Sequence, residues 1–329
     1  MKNKIKMRPP LELKPLFLER MKKIFNNEKD FEEYLKVLGV EPVRSIRCNT
    51  LKISPEDLKK RLEEKGWKIS QPFHENPEIM IVENELKPGE LGRALEHMLG
   101  YYYVQEIASM LPSIALNPLP GETVLDLCAS PGSKTTQMAS KMENKGTIIA
   151  NEISLGRLKI LASNTERCGV SNAIITKREG TSFCNRLKQE GFEFDKILID
   201  APCSGEGTLR STPKTAVMWS IHTVKKLSKI QKHLVEAAIE ILKPEGELVY
   251  STCTHSPEEN EEIVDFILKE FPNMKIEKIT LPFKCRPGLS SWVDKKYDSG
   301  VKHSCRVYPQ DNNTEGFFIA KFKKTGEKN

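Results

Sequence analysis

Lys196-Ile-Leu-Ile-Asp200-Ala-Pro-Cys203-Ser-Gly205 is the stretch on which the reading of this chain turns. A short apolar run that stops at an acid, a proline, a cysteine and a glycine reads as a buried parallel strand whose reactive groups sit at its carboxyl end. Open α/β sheets hold their ligands along that edge. The layout returns in Gly246-Glu-Leu-Val-Tyr-Ser-Thr-Cys253, a second strand delivering a second cysteine. If the two strands are neighbours, both thiols stand over one pocket.

Working outward, the chain from Glu122 alternates strand and helix. Strands are predicted at 123–128, 146–150 and 173–176, with helices at 134–141, 155–167 and around 185–189. Beyond the opening strand come a long helix from about 224 to 242, the strand 246–253, a helix opened by Ser256-Pro257-Glu-Glu, a strand near Ile276 and a last strand 316–323. This alternation predicts an α/β fold with a doubly wound, mostly parallel, Rossmann-like sheet. No helix separates the final two strands, so one of them is expected to run antiparallel.

Ahead of that sheet, Phe17, Met21 and Ile24, then Phe31, Tyr34, Leu35 and Leu38, keep helical spacing and predict two helices broken at Asn26-Asn27. A strand over 45–51, a helix opened by Ser54-Pro55-Glu56-Asp57, and strands near Trp67 and at 79–82 make a smaller α/β unit. Tyr101, Tyr102 and Tyr103 cannot all enter one core, so some ring or hydroxyl is expected to meet solvent, a ligand or the neighbouring unit. The turn-rich Asn117-Pro-Leu-Pro-Gly121 divides the chain into units 1–117 and 118–329.

A chain of 329 residues with 38% hydrophobic and 29% charged residues has room for two globular units. Its net charge of +6 is compatible with an anionic partner without demanding one. No apolar run approaches the roughly 20 residues that span a bilayer, and Met1-Lys-Asn-Lys-Ile-Lys6 lacks the apolar core of a signal peptide. A cytoplasmic location is expected. The eight cysteines form no Cys-x-x-Cys pair, which argues against a zinc ribbon or a dithiol motif, and no metal is expected. Richness in Lys and Glu fits a thermophile, in which an internal disulfide such as Cys285 to Cys305 is admissible.

Asp126-Leu-Cys128-Ala-Ser-Pro131-Gly132-Ser133-Lys134 ends one predicted strand and opens a helix. It is neither a dinucleotide fingerprint nor a P-loop, since it has one glycine and its lysine follows too closely. A turn with little Cβ bulk lets an anionic ligand group press on backbone amides at the helix start. On the next strand, Asn151-Glu152 places an acid to accept hydrogen bonds from both hydroxyls of a ribose. The bland alternative for Glu152 is a helix-start acid beside Ser154. A single cysteine at a strand end is usually a small buried hydrophobe. Two, each inside its own motif, argue for chemistry.

Residues 126–135, Asn151-Glu-Ile-Ser with Arg157, Asp200-Ala-Pro-Cys-Ser-Gly-Glu-Gly-Thr208, Tyr250-Ser-Thr-Cys253-Thr with Glu258-Glu-Asn260-Glu, and Thr314-Glu-Gly-Phe-Phe-Ile-Ala320 stand in a telling order. With Arg47-Cys-Asn-Thr-Leu-Lys52 and Tyr103-Val-Gln-Glu-Ile-Ala-Ser109 ahead of them, the chain resembles the Sun-type RNA (cytosine-5) methyltransferases over residues 14–324. The resemblance implies a class I methyltransferase sheet with an RRM-like N-terminal domain, S-adenosylmethionine as cofactor, RNA (tRNA or rRNA) as partner, and action as a monomer. It assigns Cys128, Ala129, Ser130, Pro131, Gly132, Ser133, Lys134, Glu152, Arg157, Glu179 and Asp200 to the cofactor. Cys253 becomes the thiol that adds to C6 of cytosine, Asp200 the group at N3, and Cys203 the aid to release after methylation. A stacked cytosine exposes neither C5 nor C6 suitably, so the target is flipped out or unpaired.

This chain departs from the family in two places: Glu179 stands where an aspartate is usual near the adenine, and Gln310 where histidine is frequent. Cys48, Cys168 and Cys184 read as structural. Presentation of RNA falls to the N-terminal unit, through Arg44, Arg47, Lys52, Lys59 and Lys60, because the larger unit shows no obvious basic platform in sequence. After the last strand, 323–329 offer no further RNA-binding domain. A DNA cytosine-5 methyltransferase would attack with the Pro-Cys thiol and carry a large recognition insertion, and an N6-adenine methyltransferase would replace Asp-Ala-Pro-Cys by an Asn/Asp-Pro-Pro-Tyr/Phe motif. A non-catalytic RNA-binding or assembly factor would have no need of both thiols.

Overall fold

The computed structural model describes residues 11–326, so the Met1-to-Lys6 stretch lies outside the described residues. The smaller sheet contains β1 (Ser45–Cys48), β2 (Ile69–Ser70), β3 (Ile79–Val82) and β4 (Tyr102–Val104), antiparallel throughout in the order β2-β3-β1-β4. That order is the split βαβ arrangement of RRM-like domains. Its helix Pro55–Glu63 starts as the sequence predicts, with Ser54 accepting from the amide of Asp57.

The larger sheet holds β5 (Thr123–Asp126), β6 (Thr147–Asn151), β7 (Ala173–Thr176), β8 (Phe194–Asp200), β9 (Leu242–Thr252), β10 (Met274–Glu277) and β11 (Arg286–Pro287). After the small hairpin β12 (Ser291–Trp292) and β13 (Lys295–Lys296), it is completed by β14 (Cys305–Val307) and β15 (Phe317–Lys324). The order is β11-β14-β15-β9-β8-β5-β6-β7, parallel from β9 to β7, with β10 pairing β15. β15 runs antiparallel to β9, as the missing crossover helix requires. The two cysteine-bearing strands β8 and β9 are hydrogen-bonded neighbours.

Alternation along β8 builds two cores. Ile197 and Ile199 face the helices Gly180–Gln189, Ile221–Glu240 and Glu261–Glu270, while Leu198 faces Leu111–Leu116 and Ser133–Lys141. Cys285 and Cys305 form a disulfide in the β11–β14 region.

Four elements differ from expectation. The helix predicted around 185–189 begins at Gly180, with Glu179 as its cap. β9 begins at Leu242, and Lys243-Pro-Glu-Gly246 is an excursion in it rather than a helix end, with Glu245 at φ +63°. Ser256-Pro257-Glu-Glu is a turn, and the helix starts at Glu261, because the turn is used for tertiary bonds: Tyr250 donates to the Glu259 carbonyl and Ser228 to that of Glu258. The leading helices Pro15–Phe25 and Glu28–Leu38 pack not on the small sheet but on Leu209, Trp219, Val224, Trp292 and Tyr308 of the larger unit. Gln310 joins that contact by donating to Asp30, which Arg286 also grips.

Candidate active site

Cys203 and Cys253, carried at the ends of β8 and β9, have their sulfurs 3.3 Å apart. The loops that hold them are stitched together. Ser204 and Thr254 share a hydroxyl bond of 2.7 Å, Gly207 N–H donates to the Cys253 carbonyl, and the amide of His255 donates to Glu206. Gly207 has to be glycine, since a Cβ there would lie 2.2 Å from the Gly316 carbonyl and 2.9 Å from that of Cys253. The Cys203 thiol is pushed well up by its hydrogen bond to Cys253 and by burial, and either sulfur can donate across their contact.

Asp200 lies beside the pair. One carboxylate oxygen accepts from Ser251 at 2.8 Å and the other meets the Lys134 ammonium at 2.7 Å. Lys134 also donates to Ser109 and lies over the Phe317 ring.

Two cavities meet at these groups. The first, about 410 Å³, is lined by Cys128, Ser130, Glu152, Arg157, Glu179 and Asp200, together with both cysteines and with Asn151, Arg178, Ile230 and Leu234. That volume suits a nucleoside-sized ligand. Glu152 is buried, accepts from the Ser154 amide at 2.8 Å, and stands 3.6 Å from Arg157, which ties back to the Ser130 carbonyl. Asp126, just behind the wall, is pushed up to about 7 by burial, and one of its buried oxygens has no partner. Asp126, Glu152 and Asp200 together make an acidic surround that fits a cationic ligand such as the sulfonium and ammonium of S-adenosylmethionine.

The second cavity, about 300 Å³, is lined by Pro131, Ser133, Lys134, Asp200 and Cys253, with Tyr103, Glu106, Ser109, Glu315 and Phe317. Asp200 and Cys253 line both cavities, whereas Cys203 lines only the first. Pro131, Ser133 and Lys134, grouped in sequence with the cofactor loop, therefore open onto the second cavity, and Ala129 and Gly132 line neither. Gly132 instead shapes the turn at φ +100°, where a Cβ would press on Leu161 at 3.0 Å. Glu179 lines the first cavity while its carboxylate also accepts from the amides of Thr181 and Ser182.

Sequence reasoning missed the pair Glu106 and Glu315. Glu106 accepts from the amides of Ser109 and Glu315, and the buried Glu315 carboxylate has Ser211 beside it, which partly offsets its burial. Burial and the Glu106 charge push Glu315 up to about 7. Each lies in a motif quoted above, but nothing local says that the two meet, which the fold brings about from distant segments.

One basic residue assigned to phosphates is corrected here. Arg47 is buried and donates to Gln105, to the Ser133 carbonyl at 2.6 Å and to Thr136 at 2.8 Å, so it braces the cofactor loop. Lys52, although exposed, is tied to the carbonyls of Leu99 and Arg167. Of the three tyrosines, Tyr103 is the one that meets the neighbouring unit, donating to the Pro131 carbonyl and accepting from Asn164.

Among the described residues no helix is long and apolar enough to cross a membrane. The family model for the 16S rRNA methyltransferase RsmB/F matches residues 113–323, and that for the N-terminal domain of RsmF matches residues 13–107. The tRNA (cytosine(49)-C(5))-methyltransferase of Pyrococcus abyssi is 43% identical over 94% of this chain and 99% of its own length. The Ribosomal RNA small subunit methyltransferase F of Vibrio parahaemolyticus is 38% identical, but the chain spans only 64% of it. A methyltransferase homolog from Pyrococcus horikoshii superposes with a TM-score of 0.78 at 32% identity, covering 95% of this chain and all of that one. NSun6 from the same organism, solved with the ligand SFG, gives 0.81 at 27% identity, covering 95% of this chain and 99% of its own. The paired Pro-Cys and Thr-Cys strand ends, their two cavities and these matches place the chain in the RsmB/F family of Sun-type RNA methyltransferases.

Proposed function

We propose that this chain methylates C5 of a cytosine in RNA through a covalent adduct at Cys253, and that transfer RNA is its substrate. The observation that carries the mechanism is the position of Cys253, which lines both cavities beside Asp200 while Cys203 lines one. The first cavity takes S-adenosylmethionine, with Glu152 toward the ribose and the acidic surround toward the positive end. When bound, it supplies the methyl group.

The second cavity takes the flipped cytosine. Cys253 Sγ gives up its proton and adds as thiolate to C6, the displaced π electrons move toward N3, which gains that proton, and the Asp200 carboxylate accepts a hydrogen bond from N3–H. Lys134 balances the charge of Asp200 across their 2.7 Å contact. C5 is then electron-rich enough to accept the methyl group, which a neutral cytosine is not. The C5 proton passes to Cys203 as that thiol hands its own proton to the departing Cys253 Sγ, and the C5–H electrons restore the ring double bond and expel Cys253 as a thiol. The shared loop bonds keep the sulfurs close enough for that proton to move between them.

Transfer RNA is favoured because the Pyrococcus abyssi tRNA enzyme matches over its whole length, whereas the ribosomal enzymes extend well beyond the match. Bisulfite sequencing of tRNA and of small-subunit rRNA, each incubated with enzyme and S-adenosylmethionine, tests both parts. New 5-methylcytosine confined to tRNA is expected, and methylation of rRNA alone would overturn the choice of substrate.

A further inference from the structure

A cavity of about 700 Å³ lies away from the cysteines, between the helix Ile221–Glu240 and the β12–β13 hairpin. Its helix wall carries His222, Lys225, Lys226, Lys229 and Lys232, spaced so that successive turns present them along one face. Lys225, Lys226 and Lys229 are exposed and make no hydrogen bond or ion pair with any described residue. Two of the three acids on the wall are held, Glu258 by Arg20 at 2.6 Å and by the Trp292 indole at 3.2 Å, and Glu262 by Lys295 at 2.8 Å, while the third, Asp294, is exposed on the hairpin. The lysines and His222 on the helix outnumber that one exposed carboxylate, so the groove keeps a positive potential.

The same helix forms part of the reaction site. Ile230 and Leu234 line the first cavity, and Gln231 donates to the Pro202 carbonyl at 2.9 Å, fixing the helix to the Pro-Cys loop. Lys226 stands one turn before Ile230, about 6 Å along the axis. From Ser211 on the wall of the second cavity, the chain reaches His222 through Val217 and Met218, which are 69% and 77% exposed. Val293, at the hairpin tip across the groove, is 76% exposed and held at φ +53°. A basic row along a groove suits the backbone of a single nucleic-acid strand, with phosphates on the lysines.

We propose that the groove between residues 221–240 and 291–296 grips the phosphates of the substrate RNA that flank the target cytosine. The proposal rests on the reading that RNA is the substrate. From Lys225 to Lys232 the row spans about 10 Å, room for about three phosphates of one strand.

Fluorescence anisotropy of a labelled tRNA transcript, titrated with the full chain across a series of salt concentrations, tests it. Lys225→Glu/Lys229→Glu should weaken binding by about tenfold or more and flatten the dependence of log affinity on log salt by about 1.5 to 2. Lys225→Gln/Lys229→Gln should shift both in the same direction by less. Unchanged S-adenosylmethionine affinity by calorimetry establishes that each variant is folded. If folded variants keep the wild-type affinity and slope, the groove is not the phosphate grip, although the RNA reading stands. If the wild-type protein itself shows no salt-dependent RNA binding, the RNA reading fails.

Discussion

The two cavities that meet at Asp200 and Cys253 are built alike and charged differently. The first is framed by parallel strand ends and by Glu152, held by a backbone amide and Arg157, and Glu179, held by two amides of its own helix, with Asp126 behind them keeping one unpartnered oxygen. The second lies between the small unit and the β15 region, where Glu106 accepts two amides and burial raises Glu315. Acids around the first cavity suit a cationic ligand, while a raised buried carboxyl in the second favours its neutral form. In the proposed reaction, Cys253 on the shared wall lets each reactant enter from its own side.

The largest effect should come from that wall. Cys253→Ala is expected to abolish methyl transfer to RNA and every covalent adduct, measured with radiolabelled methyl donor and denaturing gels. Persistence of an adduct in that variant would move the nucleophile to Cys203 and break the contrast between the cavities. Cys203→Ala should slow turnover by roughly 10² to 10⁴. It should also accumulate an RNA adduct that requires S-adenosylmethionine.

Glu315→Gln sharpens the comparison from the second cavity. Because its carboxyl is raised from 4.5 to about 7, the native state binds more protons than the unfolded state between those values. Its contribution is therefore present below pH 4.5 and lost as pH rises through 7, an effect of about 3 kcal/mol. Denaturant unfolding of Glu315→Gln across that range should show a shallower fall in stability than wild type, with unchanged S-adenosylmethionine affinity. An identical slope in the two proteins would refute it.

Glu152→Ala tests the first cavity alone. S-adenosylmethionine binding should weaken by about 1.5 to 3 kcal/mol, since a charge-assisted bond pair is lost, while RNA affinity holds. Calorimetry with the cofactor and anisotropy with RNA separate the two readings.

Much of this site was legible because its signals are local. An apolar run ending in Asp-Ala-Pro-Cys can be placed on a strand end without knowing what surrounds it. The mostly parallel sheet follows from the alternation with helices, while the pairing of β8 with β9, a condition in the sequence, is supplied by the fold. The boundaries at 242 and 261 differ because side chains and carbonyls there serve distant partners, whereas at 180 the helix starts on a local cap, Glu179.

By itself, the sequence determined the parallel sheet, the two cysteine-bearing strand ends, and the loop and acid of the cofactor side. Tertiary structure alone decided which cations are free. Arg47 and Lys225 look alike as basic residues, yet one is buried against the Ser133 carbonyl and the other faces solvent in a groove. It also decided that the leading helices cover the larger unit, and that Glu106 and Glu315 meet. Periodicity and motif spacing report what a segment does within a few residues of itself. Burial, ion pairing and the meeting of distant carboxyls depend on which surfaces come together, and that is set by packing across the whole chain.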